Sequence, residues 1–152
     1  MITFEETDDP KFITDVFTHP SVWPWISDDA CGNPEDYHPP ITHGVLFVKV
    51  LHEKTPIGCL MLVGVNAVTI EQHTALLPEW RNKFTKAAFL AELEFIRDIL
   101  PTVKRIRTWV PAFNRPALCA ARAVGFDECG KEEKSFLHGG QLHDMHLFGV
   151  NV

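Results

Sequence analysis

The sequence has little basic charge and lacks any long apolar run. Its 14 Lys and Arg residues are outnumbered by 20 Asp and Glu residues, which gives a net charge of −6. Because binding along a nucleic acid needs a concentrated basic face, we expect no nucleic-acid partner. No apolar run is long enough to span a bilayer, and residues 1–6 (MITFEE) lack the basic and apolar regions of a signal peptide. We therefore expect a cytoplasmic protein with no membrane partner.

The sequence also lacks closely spaced cysteines. The four cysteines, at positions 31, 59, 119 and 129, form no CxxC pair. Cys59 and Cys119 have apolar neighbours, so we predict reduced, mostly buried thiols. Three of the eight histidines lie between residues 138 and 146, but no cysteine or carboxylate spacing matches a zinc site. We predict no metal site.

What is present suits a single α/β domain over residues 1–152. With 45% hydrophobic residues, a chain of this length can bury a sizeable core. Alternating and helical apolar patterns predict the order β-α-loop-β-β-β-α-β-α-β-β. The predicted strands are 2–6, 45–52, 57–65, 67–77, 105–110, 126–136 and 142–150, and the predicted helices are 11–18, 85–100 and 114–124.

A long segment, residues 20–44, separates the first predicted helix from the second strand. It holds five prolines together with Trp23, Trp25 and Tyr37. This segment is too aromatic for a disordered linker. Two interpretations of its tryptophans stay open: they line a substrate pocket, or they plug the open end of the sheet.

Three short motifs follow in a fixed order. Residues 76–81 (LLPEWR) end the strand predicted at 67–77 and lead into a long helix. Asn114-x-x-Ala117 begins a second helix, which ends at residues 124–126 (VGF), where the glycine favours a helix C-terminus. A glycine turn at 139–140 precedes His-Asp-Met at 143–145.

These motifs and the element order resemble the GCN5-related N-acetyltransferase (GNAT) superfamily over nearly the whole chain. The resemblance implies an α/β fold with a mixed central sheet of about seven strands and helices on both faces. It also implies that the loop after the fourth strand binds the pyrophosphate of acetyl-CoA, because the N–H groups and dipole of a helix N-terminus attract anions. The coenzyme-binding residues that it implies are Leu76, Leu77, Arg81, Asn82, Lys83, Phe84, Thr85, Lys86 and Asn114. We further expect the strand at 67–77 to splay from the strand at 105–110, with this loop at the mouth of the opening.

The sequence departs from the family pattern at three positions. Phe84 and Lys86 stand where the phosphate loop of the family carries small residues, chiefly glycine, so the resemblance implies weakened phosphate binding, partly offset by the Lys86 cation. Ala121 stands where many GNAT enzymes place a tyrosine that protonates the departing coenzyme A thiolate. The chain has a single tyrosine, Tyr37, far from that register.

Glu71 and His73 share one face of the strand that usually carries a general base in this family. A base at either position would take a proton from the substrate amine before it attacks the thioester. The alternative interpretation is the polar face of a half-exposed strand. Both interpretations stay open here.

Two functional hypotheses follow. The first is an N-acetyltransferase that moves an acetyl group from acetyl-CoA to an unidentified amine. The second comes from the segment 78–88, which is similar to that of small GNAT-like proteins of tailed bacteriophages. In that case the chain would act in the host cytoplasm as an assembly module that binds phage structural proteins, without turnover.

Overall fold

A seven-stranded mixed sheet with helices on both faces forms the computed structural model, which describes residues 1–152. This confirms the predicted α/β architecture. The strands are β1 (Ile2–Thr7), β2 (Val45–His52), β3 (Thr55–Gly64), β4 (Thr69–Leu76), β5 (Arg105–Pro111), β6 (Asp127–His138) and β7 (Gln141–Asn151); the helices are α1 (Pro10–Phe17), α2 (Trp23–Ile26), α3 (Thr85–Ile99) and α4 (Arg115–Ala123). No helix is both long and apolar enough to cross a membrane.

The sheet opens between its two central strands. Across the sheet the order is β1-β2-β3-β4-β5-β7-β6, and only β4 and β5 run parallel. These two strands pair only between residues 69–71 and 105–107, whereas β3 follows β4 as far as Leu76. The carboxyl-terminal parts of β4 and β5 therefore diverge. This confirms the predicted splay and leaves a gap in the middle of the sheet.

Two apolar layers hold the helices against the two faces. A cluster of 18 buried residues, including Leu93 and Ile96 of α3, lies on one face. A second cluster of seven, including Ile13 and Phe17 of α1, lies on the other. Because side chains alternate along a strand, β4 contributes to both layers. Its even-numbered residues face α3 and its odd-numbered residues face α1.

Local sequence signals explain where the elements begin and end. The Asp9 carboxylate accepts from the N–H groups of Lys11 and Phe12 and so caps α1. Gly125, with φ of 90°, ends α4 in the left-handed conformation. The β6–β7 hairpin turns at Gly139 and Gly140, whose φ values of 58° and 73° fit a tight turn of the primed type. The predicted helix end at Gly125 and the predicted turn at Gly139 and Gly140 are confirmed.

The segment predicted as a loop at 20–44 differs from the structure. It contains the four-residue helix α2 and a 3₁₀ turn at Pro34–Asp36. Neither of them contains a buried residue. Elements this short carry no apolar period, so no helical pattern marks them in the sequence.

Candidate active site

Two clefts meet where β4 and β5 diverge. The smaller, of about 390 Å³, lies among β4, the start of α3 and α4. The larger, of about 570 Å³, extends along β5 toward β6. Six side chains line both clefts, namely Trp25, Ile26, Thr74, Phe89, Asn114 and Ala117. The clefts are thus two arms of one opening through the sheet, and Trp25 lines a cleft rather than only closing the end of the sheet.

The edge of β4 presents backbone groups to this gap. The carbonyl of Val68 accepts from the N–H of Arg105, so it faces β5. Because the backbone groups of alternate residues in a strand point to the same side, those of Thr74 and Leu76 face the same way. At these residues β5 has already diverged. Their N–H groups can therefore pair with an extended ligand or polarise its carbonyl.

The start of α3 forms one end of the smaller cleft. Its N-cap residue, Phe84, makes no side-chain capping bond, so the first N–H groups of α3 lack a side-chain acceptor. Asn82, Thr85 and Lys86 line the cleft beside them. The Phe84 ring lies on the other side, with its centroid 4.4 Å from that of His52. The phenyl group that replaces a small residue therefore packs against neighbouring rings and leaves the cleft open.

The nine predicted coenzyme-binding residues divide into two groups. The smaller cleft is lined by Leu76, Arg81, Asn82, Thr85, Lys86 and Asn114. Leu77, Lys83 and Phe84 lie outside it. Leu77 packs against the core on the α1 side, and the Lys83 ammonium sits 5.1 Å from the Phe84 ring centroid.

Arg81 ties two elements together in addition to lining the cleft. Its Nε donates to the carbonyl of Leu76 at 2.9 Å, and its Nη2 donates to the carbonyl of Ser21 at 2.7 Å. The sequence predicted a phosphate contact for this residue. In the structure two of its donors are already engaged by backbone.

Asn114 uses both ends of its amide within the protein. Its Oδ1 accepts from the N–H of Ala117 and caps α4, while its Nδ2 donates to the carbonyl of Trp25 at 3.3 Å. Both partners of this predicted coenzyme-binding side chain are therefore backbone groups of the protein. Asn114 therefore holds α2 against the start of α4 at the junction of the clefts.

Glu71 and His73 form a hydrogen-bonded pair in the larger cleft. The Glu71 carboxylate bonds His73 Nε2 at 2.8 Å and accepts from Arg107 Nε at 3.1 Å. The His73 hydrogen bond, with that of Arg107, holds the pKa of Glu71 below its ordinary value. An ionised Glu71 orients the imidazole and leaves Nδ1 to accept a proton. The pair has the arrangement of an oriented base.

Three other residues lie in the clefts. Ala121 is buried and lines the larger cleft, where its methyl group offers no proton. Tyr37 lines the same cleft, and burial raises the pKa of its phenol to about 12. Cys119 is exposed and lines the smaller cleft, which corrects the predicted burial. Because α4 packs through Leu118 and Ala121, Cys119 falls on its open face.

A buried polar cluster beneath the gap was missed by the sequence reasoning. Glu92 of α3 is fully buried, and its Oε2 accepts from Gln72 Nε2 at 2.5 Å and from Thr74 Oγ1 at 2.9 Å. Glu92 lies four residues after Ala88 and four before Ile96, both fully buried. The sequence contains a signal for this cluster. Glu92 falls on the apolar stripe of α3, and Gln72 falls on the inward side of β4, so two polar side chains are expected to meet in the core.

No group of three or more His, Cys, Asp or Glu side chains is arranged to hold a metal ion. The three clustered histidines have other contacts. His138 stacks on Phe113 with the ring centroids 4.5 Å apart, and His143 packs edge-on against the same ring at 4.8 Å. His146 bonds Glu128 through Nδ1.

No protein-family model and no curated protein matches the sequence. Solved structures match the fold closely. The spermidine N-acetyltransferase of Vibrio cholerae, in complex with CoA and spermine, has a TM-score of 0.82 at 19% identity, over 99% of this chain and 95% of that chain. The ribosomal-protein-S5-alanine acetyltransferase of Vibrio fischeri has a TM-score of 0.73 at 16% identity, over 99% of this chain and 91% of that chain. An acetyltransferase of the GNAT family from Streptococcus pneumoniae has a TM-score of 0.73 at 10% identity, over the full length of both chains. At such identities the similarity concerns the fold.

Proposed function

We propose that this chain, which has the GNAT acetyltransferase fold, is an N-acetyltransferase that moves an acetyl group from acetyl-CoA to an amine. The observation that carries the proposal is the pair of clefts that meet at the divergence of β4 and β5. One arm ends at an uncapped helix N-terminus, and the other holds an oriented base. A thioester at the junction would be bound through the smaller cleft and open to an amine in the larger cleft.

The smaller cleft suits the coenzyme. The N–H groups at the start of α3, with the Lys86 ammonium, offer an anion site for the pyrophosphate. The N–H groups of Thr74 and Leu76 would pair with the extended pantetheine arm and polarise the thioester carbonyl. Apolar side chains of α4, including Ala117 and Ala120, form the opposite wall.

The larger cleft suits the amine. It contains the carboxylates of Glu71 and Glu132 together with aromatic walls such as Trp25 and Trp109. Carboxylates and aromatic faces both favour a cationic group. His73, oriented by Glu71, would take the proton that the ammonium must lose before it attacks.

Calorimetric titration with acetyl-CoA tests the coenzyme site. We expect Lys86→Ala to weaken binding about tenfold or more, the scale of one lost charge-assisted contact. Lys104→Ala is the matched control, because Lys104 lies at the paired end of β4 and β5 and its ammonium bonds the carbonyl of Pro101. Equal losses in the two variants would remove Lys86 from the site.

A thiol-release assay with a panel of polyamines, arylalkylamines and peptides tests the reaction. We expect amine-dependent release that His73→Ala abolishes and Glu71→Gln reduces. If the wild type neither binds acetyl-CoA nor releases thiol with any amine, the proposal fails. The assembly module suggested by the segment 78–88 would then be the better hypothesis, to be tested by capture of phage structural proteins.

A further inference from the structure

The cluster of Glu92, Gln72 and Thr74 lies where the two clefts join. Gln72 and Thr74 are on the face of β4 that meets α3, and Glu92 projects from α3 toward them. Gln72 Nε2 also lies 3.3 Å from Thr74 Oγ1. The second oxygen of Glu92 and the amide oxygen of Gln72 are buried without a hydrogen-bond partner. Such unpaired buried oxygens are costly, so this cluster needs an explanation.

The surroundings of Glu92 favour its neutral, protonated form. Burial raises the pKa of Glu92 to about 8, against the opposing hydrogen bonds of Thr74 and Gln72. No cation lies close enough to offset the burial. The charge of Glu92 acts on the Cys59 thiol of β3, and burial raises the pKa of that thiol to about 12. Both groups therefore keep their protons near neutral pH.

A protonated Glu92 changes what Thr74 can do. The acid proton of Glu92 needs an acceptor, and Thr74 Oγ1 is within reach at 2.9 Å. When Thr74 accepts that proton, its own hydroxyl hydrogen is free to turn into the cleft. When Glu92 is ionised, the hydroxyl hydrogen is held by the carboxylate instead. The protonation state of Glu92 thus decides whether Thr74 can donate to a ligand.

Thr74 is the only hydroxyl at the junction of the clefts. Six side chains line both clefts. Three of them, Ile26, Phe89 and Ala117, have no hydrogen-bond donor, and a fourth, Trp25, has only its indole N–H. The fifth, Asn114, has its amide hydrogen-bonded to the carbonyl of Trp25. The buried Ala121 offers no donor from α4. A thiolate that forms at the junction therefore finds its O–H donor on β4.

We propose that the Thr74 hydroxyl protonates the departing coenzyme A thiolate and that the Glu92 carboxyl, acting through Thr74, resupplies the proton. This inference rests on the proposed transferase function. As the amine nitrogen bonds the acyl carbon, the carbon–sulfur bond breaks, sulfur takes the Thr74 proton, and Thr74 takes the Glu92 proton. The ammonium proton that His73 took before the attack passes to water, and His73 then receives the second proton that the nitrogen loses as the amide forms. Exchange with water returns His73 and Glu92 to their starting states, so the ammonium ion and acetyl-CoA give the amide, the free thiol and one proton released to water.

The test compares kcat and KM, obtained by varying each substrate, and the pH profile of kcat at saturating acetyl-CoA and amine. We expect Thr74→Val to lower kcat about 100-fold, the low end for general acid catalysis, with KM changed less than about threefold. Thr74→Ser, which keeps the hydroxyl, should stay within several-fold of the wild type. Glu92→Gln should lower kcat and abolish the fall in rate on the alkaline side of the profile. Tyr37→Phe removes the phenol of the larger cleft, the strongest competing O–H donor, and it should lower kcat far less than Thr74→Val does.

A second measurement separates proton donation from a structural role. Aryl thioesters of acetate release a thiol that needs no proton, so the loss in Thr74→Val should shrink to a few-fold with them. A merely structural role would give the same loss with both leaving groups and no change in the pH profile. If Thr74→Val does not fold, the loss in rate with acetyl-CoA is compared with the loss with the aryl thioester for Glu92→Gln instead.

The outcomes distinguish the two proposals. A wild type that is inactive with every amine overturns the transferase function and this inference together. An active wild type with Thr74→Val within about threefold of it overturns this inference alone. Loss of activity in Tyr37→Phe but not in Thr74→Val would assign the proton to Tyr37 and also overturn it.

Discussion

Glu92 has an environment that should make folding stability depend on pH. Its pKa is raised from 4.5 to about 8, because it is fully buried. Between those values only the folded state binds the proton, so the free energy of unfolding falls as pH rises, by up to about 1.4 kcal/mol per pH unit. The stabilisation is complete below about pH 4.5 and is lost above about pH 8.

Glu92→Gln should remove this dependence, because glutamine is close in shape to the neutral acid. Measured by urea unfolding from pH 5 to 8.5, the variant should gain stability relative to the wild type as pH increases. The matched control is Glu94→Gln on the same helix, an exposed position whose profile should run parallel to that of the wild type. Parallel profiles for Glu92→Gln as well would show that Glu92 is ionised throughout.

At the same scale, the sequence predicted side-chain types better than side-chain directions. Alternation on β4 placed Glu71 and His73 on one face, and the structure pairs them. The pattern could not show that Phe84 turns toward His52, because that contact joins residues 32 positions apart in the sequence. Nor could it show that the Asn114 amide donates to the carbonyl of Trp25. Long-range packing decides such directions, and a local pattern does not contain it.

At the scale of elements, Arg81 joins the end of β4 to the segment that follows α1. It bonds the carbonyls of Leu76 and Ser21 from a half-buried position. We expect Arg81→Ala to lower the free energy of unfolding by about 2 kcal/mol, since two charge-assisted bonds to backbone are lost. Arg81→Lys should recover only part of this, because one ammonium cannot match the fork of a guanidinium.

Thermal unfolding of the apo protein measures this effect. Arg97→Ala, at an exposed position of α3, is the control and should change stability by less than about 0.5 kcal/mol. If Arg81→Ala weakens acetyl-CoA binding without destabilising the apo protein, Arg81 acts on the phosphate, as its motif predicted, rather than on the fold.

Elements with a clear apolar period or a recognisable cap were predictable, and short ones were not. The sheet strands and α3 were found within two residues of their observed bounds. α2 has four residues and no buried side chain, so it depends on contacts such as the bond between Trp25 and Asn114. The segment that completes the clefts is thus the one that the sequence described least well.

At the scale of the whole molecule, residues 18–44 bridge the two halves of the sheet that diverge at the gap. On the half that contains β4, the carbonyl of Ser21 accepts from Arg81. On the half that contains β5 to β7, the carbonyl of Trp25 accepts from Asn114. The bridge passes over the junction of the clefts. Because the bridge is attached to both halves of the sheet, it limits how far the opening can widen.

Asp29 holds the middle of the bridge against the β6–β7 hairpin. Its carboxylate accepts from the N–H groups of Gly139 and Gly140 at 2.8 and 2.9 Å, and these bonds hold its pKa below the ordinary value.

Asp29→Ala removes both bonds while leaving α3 and its contacts intact. We expect several-fold faster hydrogen exchange at the hairpin turn and across residues 22–31, with exchange in α3 unchanged. Glu35→Gln, an exposed change in the same segment, should leave exchange as in the wild type. Because the bridge covers the junction rather than the start of α3, Asp29→Ala should also raise KM for the amine more than it weakens acetyl-CoA binding. Equal exchange in Asp29→Ala and the wild type would mean that other contacts, such as the bond between His138 and Ser27, hold the bridge alone.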